Sequence, residues 1–596
     1  MDEKPKNIWK KSWKGWSGFF LFNLIIGGAL FLIVLSIGLL AGTKDFAFPF
    51  AVVFGLIGFL IASFVSFIRW LCCWRNFKRF LFGLACFVTL IALFYAEEDW
   101  RGWHAWNKFK HEWEAKGEKF DRASVIPPAV PNDQNFALTP IVFTSYGQLL
   151  TRDGKAIPWK DRDTNFVDRL KMNVLRDNDT YREKAINPTN GYWAKGTITD
   201  LKGWQAYYHA PVETNQNSTI TNEFPVAPQP QTPAQDVLLA LSKYDSTIED
   251  LRQASQLPYS RFPLEWDKDD PASILLPHLA DLKRSSQVLQ LRAIAELQNG
   301  ESEKALADVK LSLRLADSVR AEPFLISHLV RIAMLQITLQ PIYEGLAENK
   351  WSEAQLADLD SELAKLDFLA DYKTAMRGEM VFLQTGDIEY LRLHPKLLLI
   401  MSGERVDNNG DSIPPLMIVV GKFHLIPGGW FYQNELRCVR TMEQFYLPLA
   451  DINHQTISPE MTRRAVATVK ANARHRNAYN FLECLFVPSL GNAVQKFGYA
   501  QSSVNLARVA NALERYRLAH GEFPDSLDAL AAQFPDGIPH DVIGGQPLHY
   551  RRTDDGQFVL YSVGWNERDD GGIVGLFKSG GADINKGDWV WRYPQK

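Results

Sequence analysis

Residues 17–96 hold three uncharged runs, and these decide where the rest of the chain can sit. Residues 17–43 carry no charge over 27 positions, residues 46–68 none over 23, and residues 80–96 none over 17. A helix needs about 20 apolar residues to cross the hydrocarbon core of a bilayer, with roughly 17 as the lower bound. The first two runs qualify as spans. The third is at the limit, and a buried or interfacial helix is its alternative.

Basic residues in the short loops set the orientation. Lys4, Lys6, Lys10, Lys11 and Lys14 precede the first run, and Arg69, Arg75, Lys78 and Arg79 separate the second from the third with no acid among them. Between runs one and two there is only Lys44, beside Asp45. Both basic segments are expected on the cytoplasmic side, so an odd number of spans exports the large C-terminal part. The pattern predicts a bacterial inner-membrane protein with its N-terminus inside and its bulk in the periplasm. A cleavable signal peptide fits run one poorly, because the run is too long and two more follow.

Of 596 residues, about 500 follow the spans, room for two to four domains. A net charge of -3 argues against nucleic acid as a partner, since phosphate neutralisation needs a basic face. The lipid bilayer and other envelope proteins are the expected partners. Cys438 and Cys484 are the exported cysteines. An oxidising compartment would let them pair, and two buried thiols is the other reading.

The chain divides into a basic tail (1–16), the spans (17–96) and an aromatic helix with a Pro-rich linker (97–136). Then come an irregular aromatic-rich region (137–234), helical hairpins (235–400), a helical region with loops (401–500) and a C-terminal α+β head (501–596). Trp100, Trp103, Trp106, Phe109 and Trp113 recur at helical spacing. They predict a helix lying along the bilayer surface, or one whose stripe packs on the protein. Tyr192, Trp193, Trp204, Tyr207 and Tyr208 crowd a segment rich in turn signals and read as a small core, with a ligand platform as the alternative.

Residues 285–319 show a 3.6-residue apolar period on both sides of Asn299-Gly300, which predicts two antiparallel helices joined by a tight turn. The hairpin resembles a tetratricopeptide unit through Leu289, Ala293, Gly300, Ala305 and Val309, while Glu296 and Asp317 depart from that pattern. No clean 34-residue repeat is present, so stacked hairpins in the manner of a solenoid are expected. Helices are also expected at 324–347, kinked at Pro341, and at 352–366, opening on a Ser352/Gln355 capping box.

In the head, a helix over 502–519 ends at His520-Gly521, a glycine C-cap. Ser526 is placed to cap the segment LDALAAQF. Strands at 548–552 and 558–563 flank Asp554-Asp555-Gly556, a hairpin signal. The blocks ALERYRLAHGEFPDSLDAL, PHDVIGGQPLHY, FVLYSVGWN and the later ADI resemble the globular head of type II secretion major pseudopilins. The resemblance covers 502–588 and implies calcium bound by the loop after the last strand. By position Asn566, Asp570 and Asp583 match, with Asp569 as a neighbour; oxygen ligands on a loop suit a hard cation. An acidic turn without an ion is the alternative. An amide at Asn566, the long loop 573–582 and the missing Pro-Trp after Asp541 depart from the family. So does the N-terminus: Gly18-Phe19 imitates a prepilin junction, but the fifth place holds Asn23 and two further spans follow.

Catalytic signatures fail on inspection. His111-Glu112 lacks a histidine at Ala115, and residues 406–418 lack the glycine and final acid of a calcium loop. No glycine precedes Lys578 in the phosphate-loop-like run 571–579. His520, His540 and Asp541 remain a possible base and orienter. The expected architecture is membrane-anchored and mainly α, with three N-terminal transmembrane helices, a solenoid-like middle and a small pseudopilin-like α+β head. The expected role is a scaffold for secretion or envelope proteins rather than an enzyme. The alternatives are a membrane-anchored enzyme with its site between residues 192–208 and the helices, and a pilin-like subunit.

Overall fold

A computed structural model describes residues 23–37, 44–72, 74–143, 148–150, 156–158, 169–176, 188–210, 223–398 and 426–594. The fold is mainly helical, with a few small antiparallel sheets. It divides into two compact units, Met1–Trp100 and Arg101–Lys596. The calcium-loop-like run at 406–412 and His424 lie outside the described residues.

In the first unit, α1 (Asn23–Ile37) and α2 (Lys44–Leu71) fall in the first two uncharged runs. Helix α3 (Trp74–Glu114) starts ahead of the third run, contains it, and also takes in the aromatic stretch. Among the described residues three helices are long and apolar enough to cross a membrane: Phe48–Val65 within α2, α3, and Leu325–Ala347. They differ in what covers them. None of the apolar window of α3 is buried, with Phe82, Leu90 and Leu93 bare, whereas 61% of the window in Leu325–Ala347 is buried by protein. An apolar surface that the protein leaves uncovered suits lipid as solvent.

Helices α1 and α2 meet at glycines. A Cβ on Gly55 would stand 2.9 Å from the Phe31 Cβ, and one on Gly27 would stand 2.8 Å from the Phe59 Cβ. In lipid, where no hydrophobic force joins helices, such small residues let backbones close into van der Waals contact. Gly55→Leu is therefore expected to part α1 from α2. Cysteine cross-linking between residues 30 and 58, efficient in the parent protein, should drop at least about fivefold. Undiminished cross-linking would disprove the packing.

The second unit is built on a helical hairpin. Helix α7 (His278–Gln298) turns at Asn299-Gly300 into α8 (Ser302–Asp317), with Gly300 at φ 82° and Glu301 N–H donating back to the Glu296 carbonyl at 2.8 Å. The two departures from the repeat pattern have physical work to do. Glu296 is buried beside Arg292 at 3.2 Å, and Asp317 accepts from the fully buried Arg331. Helix α9 (Leu325–Ala347), with Pro341 inside it, lies across both. Then come α10 (Glu353–Leu363), opened by the Ser352/Gln355 capping box, and α11 (Phe368–Glu379).

The C-terminal helix α16 (Ala493–His520) starts earlier than its sequence pattern suggests and is buried over most of its surface as far as Glu514, with Lys496 exposed and Arg508 half-buried. It packs against α9, α10 and α11, so the pseudopilin-like segment is built into the helical layers. Gly521 at φ 87° ends it. Strands β5 (His549–Arg552), β6 (Phe558–Ser562) and β9 (Trp589–Arg592) form an antiparallel sheet with β6 central, Tyr550 facing Leu560 and Leu560 facing Trp591. Ser526 makes no capping bond, and residues 527–533 wind as a 3-10 helix. A separate hairpin, β7 (Val574–Leu576) and β8 (Ala582–Gly587), brings Val574 onto Val559, Tyr561 and Val590.

The aromatic stretch packs on protein at its C-terminal end: Trp106 and Phe109 are buried with Phe120, while Trp103 stays exposed. The Pro-rich segment is tied down rather than free, because Asn135 exchanges hydrogen bonds with the Arg261 backbone at 2.8 and 2.9 Å. The aromatic residues at 192–208 serve two cores. Trp193 stacks toward Trp591 and Tyr499, whereas Trp204, Tyr207 and Tyr208 join a second cluster under α5 (Pro233–Leu241). Cys438 and Cys484 are both buried, and burial raises the Cys438 thiol well above its ordinary value.

Candidate functional site

Asn566 Nδ2 donates to Asp570 Oδ2 at 2.7 Å. Asp569 Oδ1 accepts from the Tyr561 hydroxyl and from Gly571 N–H, both at 2.9 Å. Asp583 is held by Asn585 and by Lys586, whose Nζ lies 3.1 Å from Oδ2. These four residues are thus engaged by protein donors. Among the described residues no group of three His, Cys, Asp or Glu side chains could hold a metal ion. The acid that braces the loop is Asp588, which accepts from Asp570 N–H at 3.2 Å and Gly572 N–H at 2.7 Å.

His540 and Asp541 do not pair with each other. His540 Nε2 faces the His454 carbonyl at 3.1 Å, and Asp541 accepts from Ile543 N–H, Val563 N–H and the Ser562 hydroxyl. His520 stacks on Tyr516. A Ser, a Glu and a His do converge elsewhere: Glu322 takes the Ser327 hydroxyl on one oxygen and faces His278 Nε2 at 2.7 Å on the other. The acid lies between hydroxyl and imidazole, so the histidine cannot act as the hydroxyl's base. All three are buried, and they tie the start of α7 to the start of α9.

An open cleft of ≈ 620 Å³ lies between residues 198–202 and the ends of α5, α7 and α9. Its position follows from local sequence. Asp200 caps α4 (Leu201–His209) by accepting from Gly203 N–H at 2.9 Å, and Thr232 caps α5 through a Thr232/Gln235 capping box. On α9, Gln336, Gln340 and Glu344 recur every fourth residue and so share a face, and Glu348 at the C-cap continues the spacing. Gln336 Oε1 accepts from the Trp193 indole at 3.1 Å. Gln340 Nε2 donates to the Thr197 carbonyl at 3.0 Å and to Glu344 Oε1 at 2.7 Å. Glu344, 3% exposed, also takes Thr199 N–H at 2.9 Å and the Thr199 hydroxyl at 2.7 Å, all on Oε1. Burial raises its carboxyl above the ordinary range against those three bonds, and Glu348 raises it further. The four-residue polar period on α9 is the signal in the sequence that points to this site.

A second groove, ≈ 560 Å³, runs over α8 between α6 (Asp245–Ser255) and α10. Leu306, Ala307 and Leu311 floor it, Arg252, Lys310, Arg314 and Lys365 supply positive charge, and Glu303, Asp358 and Glu362 supply negative charge. Lys310 pairs with Asp358 at 2.8 Å, and Arg314 donates to the Leu257 carbonyl at 2.9 Å. Comparison of the chain with protein-family models, curated proteins and solved structures gives no match.

Proposed function

We propose that the chain is a scaffold anchored in a bacterial inner membrane, with its helical part in the periplasm holding partner proteins of an envelope or secretion assembly. The observation that carries the reading is the groove over α8. It is open, floored by apolar side chains and walled by charges of both signs along one helix. A surface of that kind accommodates a chain segment of a partner, whereas chemistry calls for a closed site with convergent unpaired groups. The excess of lysine and arginine before α1 and between α2 and α3 supports the orientation. The pseudopilin resemblance of 502–588 supports the choice of a secretion assembly, by analogy alone.

The test uses the full-length protein in its membrane, with a photo-reactive residue in place of Ala307. One discrete adduct to another envelope protein is expected, and Lys310→Glu with Lys365→Glu should reduce it at least about fivefold. No adduct, or one indifferent to the charge reversals, overturns the scaffold reading. A reporter enzyme fused after Lys596 that is active only in the cytosol overturns the compartment.

A further inference from the structure

Glu344 is the one acid of the first cleft that the fold has both buried and left half used. Its Oε1 accepts three hydrogen bonds, while no hydrogen bond or ion pair reaches Oε2 among the described residues, although the residue lines the cleft. One turn earlier, behind the cleft lining, stands Gln340. Gln340 Oε1 is buried without a donor, and both N–H groups of that amide are already committed. Gln340 therefore has no N–H left for Glu344 Oε2.

The charges agree. Glu344, Glu348 and Asp200 line the cleft against one cation, Lys202, which sits exposed at the rim. Helix ends do not reverse that balance. The N-termini of α4 and α5 are satisfied by Asp200 and by the Thr232/Gln235 box, and the C-terminal ends of α7 and α9 bring carbonyl dipoles that favour positive charge. Glu344 Oε2 opens onto the cleft without a protein partner among the described residues, and a charge-assisted donor on a carboxylate oxygen makes one of the stronger hydrogen bonds. The volume falls within the range of about 300–1,000 Å³ of small-molecule sites.

We propose that this cleft binds a small organic cation, a primary ammonium or guanidinium seated on Glu344 Oε2. The site is independent of the groove over α8, so its failure leaves the scaffold reading untouched.

Calorimetric titration of the full-length protein in detergent with agmatine tests the proposal, in parallel with the peptide Gly-Gly-Arg-Gly-Gly amide. Saturable binding of either, at one site per chain, is expected. Tighter agmatine identifies a free amine as the ligand, and a tighter peptide identifies a basic side chain of a polypeptide. Glu344→Gln, which keeps shape and removes charge, should weaken binding at least about tenfold. Lys202→Glu, at the exposed rim, should strengthen it about threefold and guards against a folding defect in the first variant. Absence of saturable binding by both probes, or Glu344→Gln binding like the parent, overturns the proposal.

Discussion

Replacing Arg331 by methionine is expected to remove about 3–5 kcal/mol of folding stability, the usual cost of stripping one partner from a buried ion pair. Arg331 is fully buried on α9. It donates to Asp371 Oδ2 through Nη1 and to Asp317 Oδ1 through Nη2 at 3.2 Å, with its guanidinium 4.7 Å over the Phe368 ring. Asp371 is nearly as buried, and desolvation pushes its carboxyl up to about 6 even with Arg331 beside it. Without the guanidinium, only Arg320, whose Nε is 3.5 Å from Oδ1, faces that charge. The loss should be larger at pH 8 than at pH 5, because a protonated Asp371 needs no counter-charge. Arg331→Met with Asp371→Asn should recover most of it, since the costly species is the orphaned carboxylate rather than the missing contact. Lys365→Ala is the control: its pair with Glu362 is exposed, and exposed pairs contribute about 0–1 kcal/mol. Denaturant unfolding of the full-length protein in detergent measures all four. A single-variant loss within about 1 kcal/mol, or a double variant no better than the single, refutes the account.

Features decided by a few neighbouring residues were legible from the chain alone. The Asn299-Gly300 turn, the Ser352/Gln355 capping box, the Gly521 C-cap and the hairpin around Gly556 all stand where their residues predict. What could not be read was placement. Leu506, Val509, Ala510 and Leu513 share one buried face of α16, yet Val504, Ala507 and Asn511 on other faces are buried too, because α9, α10 and α11 pack around the helix. No local pattern records how many neighbours a helix acquires. The same holds for Trp193 and Trp204, eleven residues apart and committed to different cores. Ser526 failed as a cap because the segment after it winds as a 3-10 turn, without the α-helical first turn its hydroxyl would satisfy. The acids at 566–583 were chosen by resemblance. The face of α9 that carries Glu344 was legible as a four-residue polar period in an apolar helix, but its meaning depends on residues 197–200 arriving from far along the chain.

Thermal stability should fall as pH rises from about 5 to about 8 and level off above. The second unit buries several carboxyls outside the long apolar helices. Desolvation pushes Glu379 up to about 7, Glu443 to about 7, Glu435 to about 8 and Asp387 to about 8. Like charges add to three of them: Glu118 beside Glu443, Glu389 beside Glu435, and Asp270 beside Asp387. Nearby cations oppose, with Lys110 and Arg392 facing Glu435, Arg377, Lys116 and Lys373 facing Glu443, and Arg122 facing Asp387. Each folded value lies above the ordinary carboxyl range. The stabilisation is therefore complete below the unfolded pKa, near 4, and is lost as pH climbs through the folded one. Within that window each group costs about 1.4 kcal/mol per pH unit at most. His328 works the other way, since burial holds its imidazole down to about 3 and the unfolded chain takes up a proton below its ordinary 6.5. That is one group against four, and it acts only on the acid half of the window, so the fall prevails. A decrease of about 5 °C or more in melting temperature between pH 5 and pH 8 is expected for the full-length protein in detergent. Glu435→Gln should flatten the descent and be more stable than the parent at pH 8 while losing that advantage at pH 5. A melting temperature that is flat or rises across this range would show that these carboxyls are solvated in the folded protein.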